Sequence, residues 1–306
     1  MRKSINIGYL LLMTFVGCQT KVPDFSANNA FEYLKAQCEF GPRNPGSEGH
    51  RKVLNYYLKT LTPLADTVMT QSFIEKMPRT GEKVNMNNVI ARFNVEAKKQ
   101  IMISAHWDTR PWGDRGKGMM ERNQPILGAN DGASGVAVLL ELANILNKEK
   151  PPFGVNLVLF DAEDYGTSGD NWTYCKGSQY FAKNIPIPYP AYAINLDMIA
   201  DKEPEFYIER LSYEQNPTLV MELWEKAESL GLKSFKKKAK DMIFDDHVPL
   251  YEIAGIPAID IIDFDYPNER INYHHTQNDI VQNCSPKGLG EVGTLMVNHI
   301  YGNSEK

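Results

Sequence analysis

The 306-residue sequence predicts a three-layer α/β/α domain on a mixed, mostly parallel central sheet. Segments with helical spacing alternate with short apolar runs along the chain. The runs at 101–105, 155–160 and 258–262 are almost wholly apolar, as strands covered on both faces must be. Most of the apolar runs also lead into a histidine or an acidic residue.

Taken in order, 30–40 and 48–61 carry apolar residues at helical spacing, and the loop Gly41-Pro-Arg-Asn-Pro-Gly-Ser47 separates them. Strands follow at 66–74, 87–93 and 100–105, then a helix at 135–146 that packs on the sheet and a buried strand at 155–160. A short helix at 178–184 precedes strands at 191–196 and 205–209, a long helix at 217–230, a strand at 258–262 and a closing amphipathic helix at 287–301. Segments 110–127 and 166–177, rich in Gly, Trp and polar residues, read as long loops, where function usually resides.

Composition narrows the function. A net charge of −5 with scattered Lys and Arg provides no basic footprint, so no nucleic-acid partner is expected. The one basic run, Lys236 to Lys238, reads as a solvated loop or helix end. Arg2 and Lys3, the apolar run 5–16, then Gly17 and Cys18 form a secretory signal. The small residue before the cysteine resembles a bacterial lipoprotein signal, in which that cysteine is lipidated. The expected organisation is a signal peptide over 1–17, a lipidated Cys18 and tether over 18–27, and one catalytic domain over 28–306. The protein is expected to be an exported monomer, a periplasmic or outer-membrane lipoprotein of a Gram-negative bacterium held to the membrane by that anchor. Cys38, Cys175 and Cys284 form no CxxC pair and read as free, buried or partly buried thiols.

The chemistry lies at the ends of the strands. The run 101–105 leads into His106, Trp107 and Asp108; 155–160 leads into Asp161, Glu163 and Asp164; 191–196 leads into Asp197. In sheets of this class ligands bind beyond the carboxyl ends of the strands, so these side chains converge on one crevice. Loops add Asp131, then Asp245, Asp246 and His247, then His274, His275 and Asp279. Imidazole and carboxylate donors without thiolates are a common zinc set, and catalytic zinc keeps three protein ligands and an open position. A lone strand-end Asp would be a turn former; six clusters together indicate a metal site.

These residues resemble the zinc-aminopeptidase-like (M28) family, which includes bacterial aminopeptidases and the animal-type glutaminyl cyclases. His106-Trp-Asp108, Asn130-Asp131, Glu163-Asp164, Asp197 and His275-Thr-Gln-Asn-Asp279 stand in that family's order over nearly the whole mature chain. Phe40 to Ser47, Asp245-Asp-His-Val-Pro249 and Gly177-Ser-Gln-Tyr-Phe-Ala182 are similar to bacterial glutaminyl cyclases. The resemblance implies Asp131, Asp164 and His275 as zinc ligands and Glu163 as general acid and base. It implies Asp246 and Asp197 as hydrogen-bonding partners of the substrate amide or of Glu163, and Trp172 and His274 as substrate-binding side chains. Two departures stand out: position 164 is Asp where peptidases and animal cyclases usually have Glu, and His274 replaces a tryptophan of the animal cyclases. The reaction so implied is cyclisation of N-terminal Gln on peptides and proteins, with one zinc. His106 and Asp197, with Asp131 bridging, are the ligands of a possible second metal, which a two-zinc aminopeptidase would use. A silent peptide-binding lipoprotein is the third reading, but it would have no need of Glu163.

Expressed in a bacterium with a lipoprotein pathway, the wild type should partition into membranes and Cys18→Ser should not. Equal solubility of the two would exclude the lipid anchor.

Overall fold

The structure, a computed structural model, describes residues 22–302, so Cys18 and its apolar run lie outside the described residues. Helix α1 (Ala27–Cys38) opens the domain where the Ser26 hydroxyl accepts the Asn29 N–H at 3.2 Å. It starts three residues before the apolar pattern suggests, because the cap and not the first apolar residue sets the end. Val22 and Phe25, within the stretch expected as a tether, already pack against the core. Ser47 caps α2 (Glu48–Leu61) in the same way, with its hydroxyl accepting the His50 N–H.

An antiparallel hairpin, β1 (Thr67–Lys76) and β2 (Lys83–Phe93), leads to β3 (Gln100–His106). The long loop that follows holds one helical turn, α3 (Met119–Arg122), before α4 (Ala133–Lys148) and β4 (Gly154–Phe160). Then come α5 (Lys176–Lys183), β5 (Ala193–Asp197), β6 (Phe206–Glu209), α6 (Arg210–Gln215), α7 (Pro217–Ser229) and β7 (Phe235–Lys240). The chain ends with α8 (His247–Ala254), β8 (Ala258–Ile262), the two-residue strands β9 (Pro267–Asn268) and β10 (Ile271–Asn272), and α9 (Pro286–Tyr301).

The six-stranded sheet has the order β1-β2-β4-β3-β5-β8, with β4, β3, β5 and β8 parallel and the β1–β2 hairpin antiparallel at one edge. This is the mixed sheet that the sequence predicts. Helices α1, α4 and α9 cover one face and α5 and α8 the other. Strand alternation divides the apolar side chains between two cores: Ile101, Ile103, Val155, Leu157 and Leu159 face α4, while Met102, Val158 and Phe160 join Phe181 and Leu250 on the opposite face. Both faces being dry explains why these runs are continuous in the sequence.

Besides the short α3, α6, β9 and β10, two further elements escaped the sequence reading. Lys236 to Lys238 lie not in a loop or helix end but in β7, which pairs in parallel with β6 to form a separate two-stranded sheet. Phe235 anchors that strand against Phe206 and Trp224 (ring centroids 5.0 and 5.5 Å), and the lysines stay at a solvated edge, so no apolar period marks it. Helix α8, eight residues long and half buried, is too short for a clear period.

At Gly135 the α4 backbone touches the sheet: a Cβ there would sit 2.1 Å from the Leu196 carbonyl oxygen and 2.7 Å from the Ala105 Cβ. Gly135→Ala should therefore lower stability by about 1–3 kcal/mol, as overpacking does, measured as a lower denaturant midpoint. An unchanged midpoint would show that α4 can withdraw from the sheet at no cost.

Candidate active site

After β3 the chain crosses to the α4 face and after β4 to the α5 face. The diverging connections open a crevice at the carboxyl ends of these adjacent strands. A cavity of about 550 Å³ fills it, lined by Asp131, Glu163, Asp164, Asp197, Asp245, His274 and His275 among others. His106 and Asp197 are the last residues of β3 and β5, Glu163 and Asp164 follow β4, and Asp131 stands just before α4. Six clusters spread over 170 residues of chain thus meet in one place, as the strand-end pattern requires.

Asp131 is central to the geometry. Its Oδ1 lies 3.1 Å from His106 Nε2, which is also 3.1 Å from Asp197 Oδ1. Its Oδ2 lies 3.8 Å from both His274 Nε2 and His275 Nε2, and His275 Nε2 is 2.7 Å from Asp164 Oδ1. Two compact donor groups therefore share Asp131, one on each of its oxygens. Of the expected ligands, His275 stands between Asp131 and Asp164, and the second set of His106, Asp131 and Asp197 forms one compact group.

Burying so many carboxylates is costly, and their protonation behaviour records it. Burial and the neighbouring Asp164 push Asp131 up to about 8, and the same two influences hold Glu163 well above the usual carboxylate range. Burial opposes a charge on His275, but Asp164 and Asp114 overcome it and raise the imidazole to about 9. Asp131 Oδ2, Asp164 Oδ2 and His106 Nδ1 are buried without a hydrogen-bond partner. The orphaned Asp131 Oδ2 and Asp164 Oδ2, set beside imidazole nitrogens in a site with an excess of negative charge, fit a zinc ion, which would supply the missing interaction and offset the charge.

The support around this centre is built from residues that the motifs did not assign. Arg110, fully buried, donates to the carbonyls of Asp164 (2.8 Å) and Gly166 (3.0 Å) and pairs with Asp114 at 2.5 Å. Asp114 in turn lies 3.4 Å from His275 Nδ1, the carboxylate–histidine arrangement that orients a metal-binding imidazole. Asp108 accepts the Glu163 N–H at 2.9 Å, and Asp279 accepts those of Asn130 (2.7 Å) and Asp131 (3.0 Å). Buried Arg43 ties the loops together by donating to the carbonyls of Trp107, Leu127 and Gly128. Cys175, a free thiol, donates to Glu163 Oε1 at 3.3 Å.

Two expected site residues stand differently from the rest. Asp246 does not line the cavity: fully buried, it precedes α8 and accepts the Ser178 hydroxyl at 2.5 Å. Its neighbour Asp245 faces the cavity, held by Asn195 Nδ2 at 3.1 Å and pushed up to about 6 by burial and Asp197. Trp172 is 47% exposed at the rim, where its ring meets Phe244, a cavity-lining side chain, edge-on at 5.1 Å. His274 lines the cavity as expected, packed on Phe264. Phe244, Phe264 and Ile262, which the sequence reading left unassigned, supply apolar wall.

The fold and the metal-binding cleft are those of a zinc exopeptidase-like α/β enzyme, and the match of residues 88–300 to the Peptidase family M28 model places the chain in that family. Among solved structures, a glutaminyl cyclase of Bacteroides thetaiotaomicron superposes with a TM-score of 0.88 at 34% identity, over 94% of this chain and 100% of that one. A Zn-dependent exopeptidase of Parabacteroides distasonis matches with the same score and identity over 92% of this chain and 100% of that one. Aminopeptidase YwaD of Bacillus subtilis is 26% identical over 216 residues, 68% of this chain, which spans only 42% of that relative's length.

The wall formed by Met242 to Phe244 depends on Glu209. Its carboxylate accepts the N–H groups of Ile243, Leu211 and Ser212 and lies 3.3 Å from His247 Nε2. Burial alone would raise Glu209, but His247 and these donors outweigh it and lower the group to about 2. A depressed carboxylate contributes stability that is complete above its unfolded value near ~4.3 and is lost as pH falls through its folded value. Acid titrations of the wild type should therefore show a loss on the order of 2–3 kcal/mol between about pH 4 and 2 that Glu209→Gln lacks. Parallel acid curves for the two proteins would remove Glu209 from this role.

Proposed function

We propose that this chain is a glutaminyl-peptide cyclotransferase, converting N-terminal Gln of peptides and proteins to pyroglutamate with release of ammonia. The observation that carries the reading is the full-length likeness to a bacterial glutaminyl cyclase, in a fold where Glu163 lines the cavity beside the zinc donor set. A zinc held by Asp131, Asp164 and His275 would polarise the γ-carboxamide oxygen as a Lewis acid.

The remaining work belongs to the protein. The nucleophile is the α-amine of the substrate itself, so the cavity has to hold the glutamine curled with amine and carboxamide carbon in contact. Phe264, Ile262 and His274 bound the space in which it curls, and Trp172 with Phe244 forms its rim. As the C–N bond of the ring forms, Glu163 takes a proton from the amine; it returns that proton to the carboxamide nitrogen, whose bond to carbon breaks to free ammonia. Asp197 and Asp245 line the cavity and are the side chains available to hold the carboxamide N–H groups. Asp246 acts one layer behind, fixed by Ser178 next to Asp245.

A second reading, a two-zinc aminopeptidase, is favoured by the compact set of His106, Asp131 and Asp197, and by the equal likeness to an exopeptidase. There Glu163 would serve as base toward water at the scissile carbonyl. Mass spectrometry of Gln-peptides after incubation separates the two: loss of ammonia means cyclisation, loss of the first residue means hydrolysis.

Glu163→Gln keeps the shape of the side chain but cannot accept the proton. It should retain zinc and substrate binding while turnover falls about a hundredfold or more, chiefly in kcat because proton transfer belongs to the transition state. Release of zinc by this variant, or an unchanged rate, would overturn the role given to Glu163.

A further inference from the structure

We propose that Arg115 sets specificity for the residue that follows the N-terminal glutamine, favouring peptides with a carboxylate side chain at that second position. Arg115 stands in the loop between β3 and α4 and is the only lysine or arginine that lines the cavity among the described residues. Its backbone is fixed although its side chain is exposed. The Arg115 N–H donates to the His275 carbonyl at 3.3 Å, and on either side Gly116 N–H donates to the Gly113 carbonyl and Gly113 N–H to that of Gln124, both at 2.8 Å. The guanidinium carbon lies 5.6 Å from the centroid of Phe264, whose ring packs in turn on His274. The charge therefore rests at the mouth, against the wall that bounds the curled glutamine, where the next residue of the peptide leaves.

That charge has no partner within the chain. The carboxylate next to it in sequence, Asp114, is engaged by Arg110 and by His275 Nδ1, and among the described residues Arg115 forms no ion pair. A planar guanidinium presents a fork of N–H donors that matches a carboxylate in two parallel hydrogen bonds. The rest of the lining has the opposite sign: Asp131, Glu163, Asp164, Asp197, Asp241 and Asp245 all border the cavity. Such a field attracts the substrate α-amine but repels an acid on the following residue. Arg115 is the group that reverses it at the mouth, and so converts a cavity hostile to acidic peptides into one that selects them.

The inference rests on the proposed seating of an N-terminal glutamine in this cavity, and its readout is a ratio of rates that either product reports. In C-terminally amidated peptides the second residue can carry the only carboxylate. Wild-type kcat/KM should then be higher for Gln-Glu than for its neutral isostere Gln-Gln by about five- to tenfold, the effect of a charge-assisted contact at a partly exposed site. In Arg115→Ala the ratio should fall to one or below, and Arg115→Glu should turn the preference toward Gln-Lys. Equal wild-type values for Gln-Glu and Gln-Gln overturn the proposal even if a variant fails to fold, and so does a ratio that Arg115→Ala leaves unchanged. A uniform loss on every peptide, as from a contact to the shared backbone, overturns it as well. Release of free glutamine in place of ammonia would overturn the cyclisation reading alone, since the same ratio still decides the role of Arg115.

Discussion

The structure depends on one electrostatic constraint: a group of carboxylates gathered in a crevice that leaves each of them almost wholly buried. Asp131, Glu163, Asp164, Asp197 and Asp245 share that space with three imidazoles. Isolated buried carboxylates would protonate, and the raised values of Asp131, Glu163 and Asp245 show that tendency. A divalent cation would resolve it, so the unfavourable clustering of charge and a metal chemistry would be two aspects of a single arrangement.

Holding that arrangement takes rigid neighbours. Arg110 grips the main chain on either side of Tyr165 and orients Asp114, which reaches His275; Arg43 and Asp279 fix the loop that carries Asp131. Glu209 secures the opposite wall through Ile243. Arg110, Arg43, Asp279 and Glu209 are buried and act largely on backbone N–H or carbonyl groups, so the main chain of the loops at the strand ends is tied down by side chains. Such loops satisfy the demand that a catalytic constellation stay within a fraction of an ångström of its working geometry.

Much of this was legible in the residues. Continuous apolar runs identified β3, β4 and β8 because both faces of the sheet are covered, and the acidic or histidine residues at the ends of β3, β4 and β5 marked the site because side chains at strand ends share one edge. Elements whose stability is not recorded in an apolar period were lost: β7 presents lysines to solvent, and α8 is a short helix whose identity comes from packing against α5 and β8. Within the site, the different placements of Asp245 and Asp246 were not legible for a related reason. Two adjacent carboxylates are equivalent in a motif, and only the Ser178 hydroxyl and the start of α8 turn Asp246 inward.

By itself, then, the sequence determined the α/β layering, the collection of carboxylate and imidazole donors at the strand ends, and membership of a zinc-dependent family, since each follows from local periodicity and from residue order along the chain. Tertiary structure alone decided which side chains enter the cavity, which ones hold them from behind, and that His274 and His275 turn to the same side. Those outcomes depend on backbone torsions and hydrogen bonds between residues more than fifty positions apart, such as Arg110 with Asp164 and Ser178 with Asp246, and no local pattern records them.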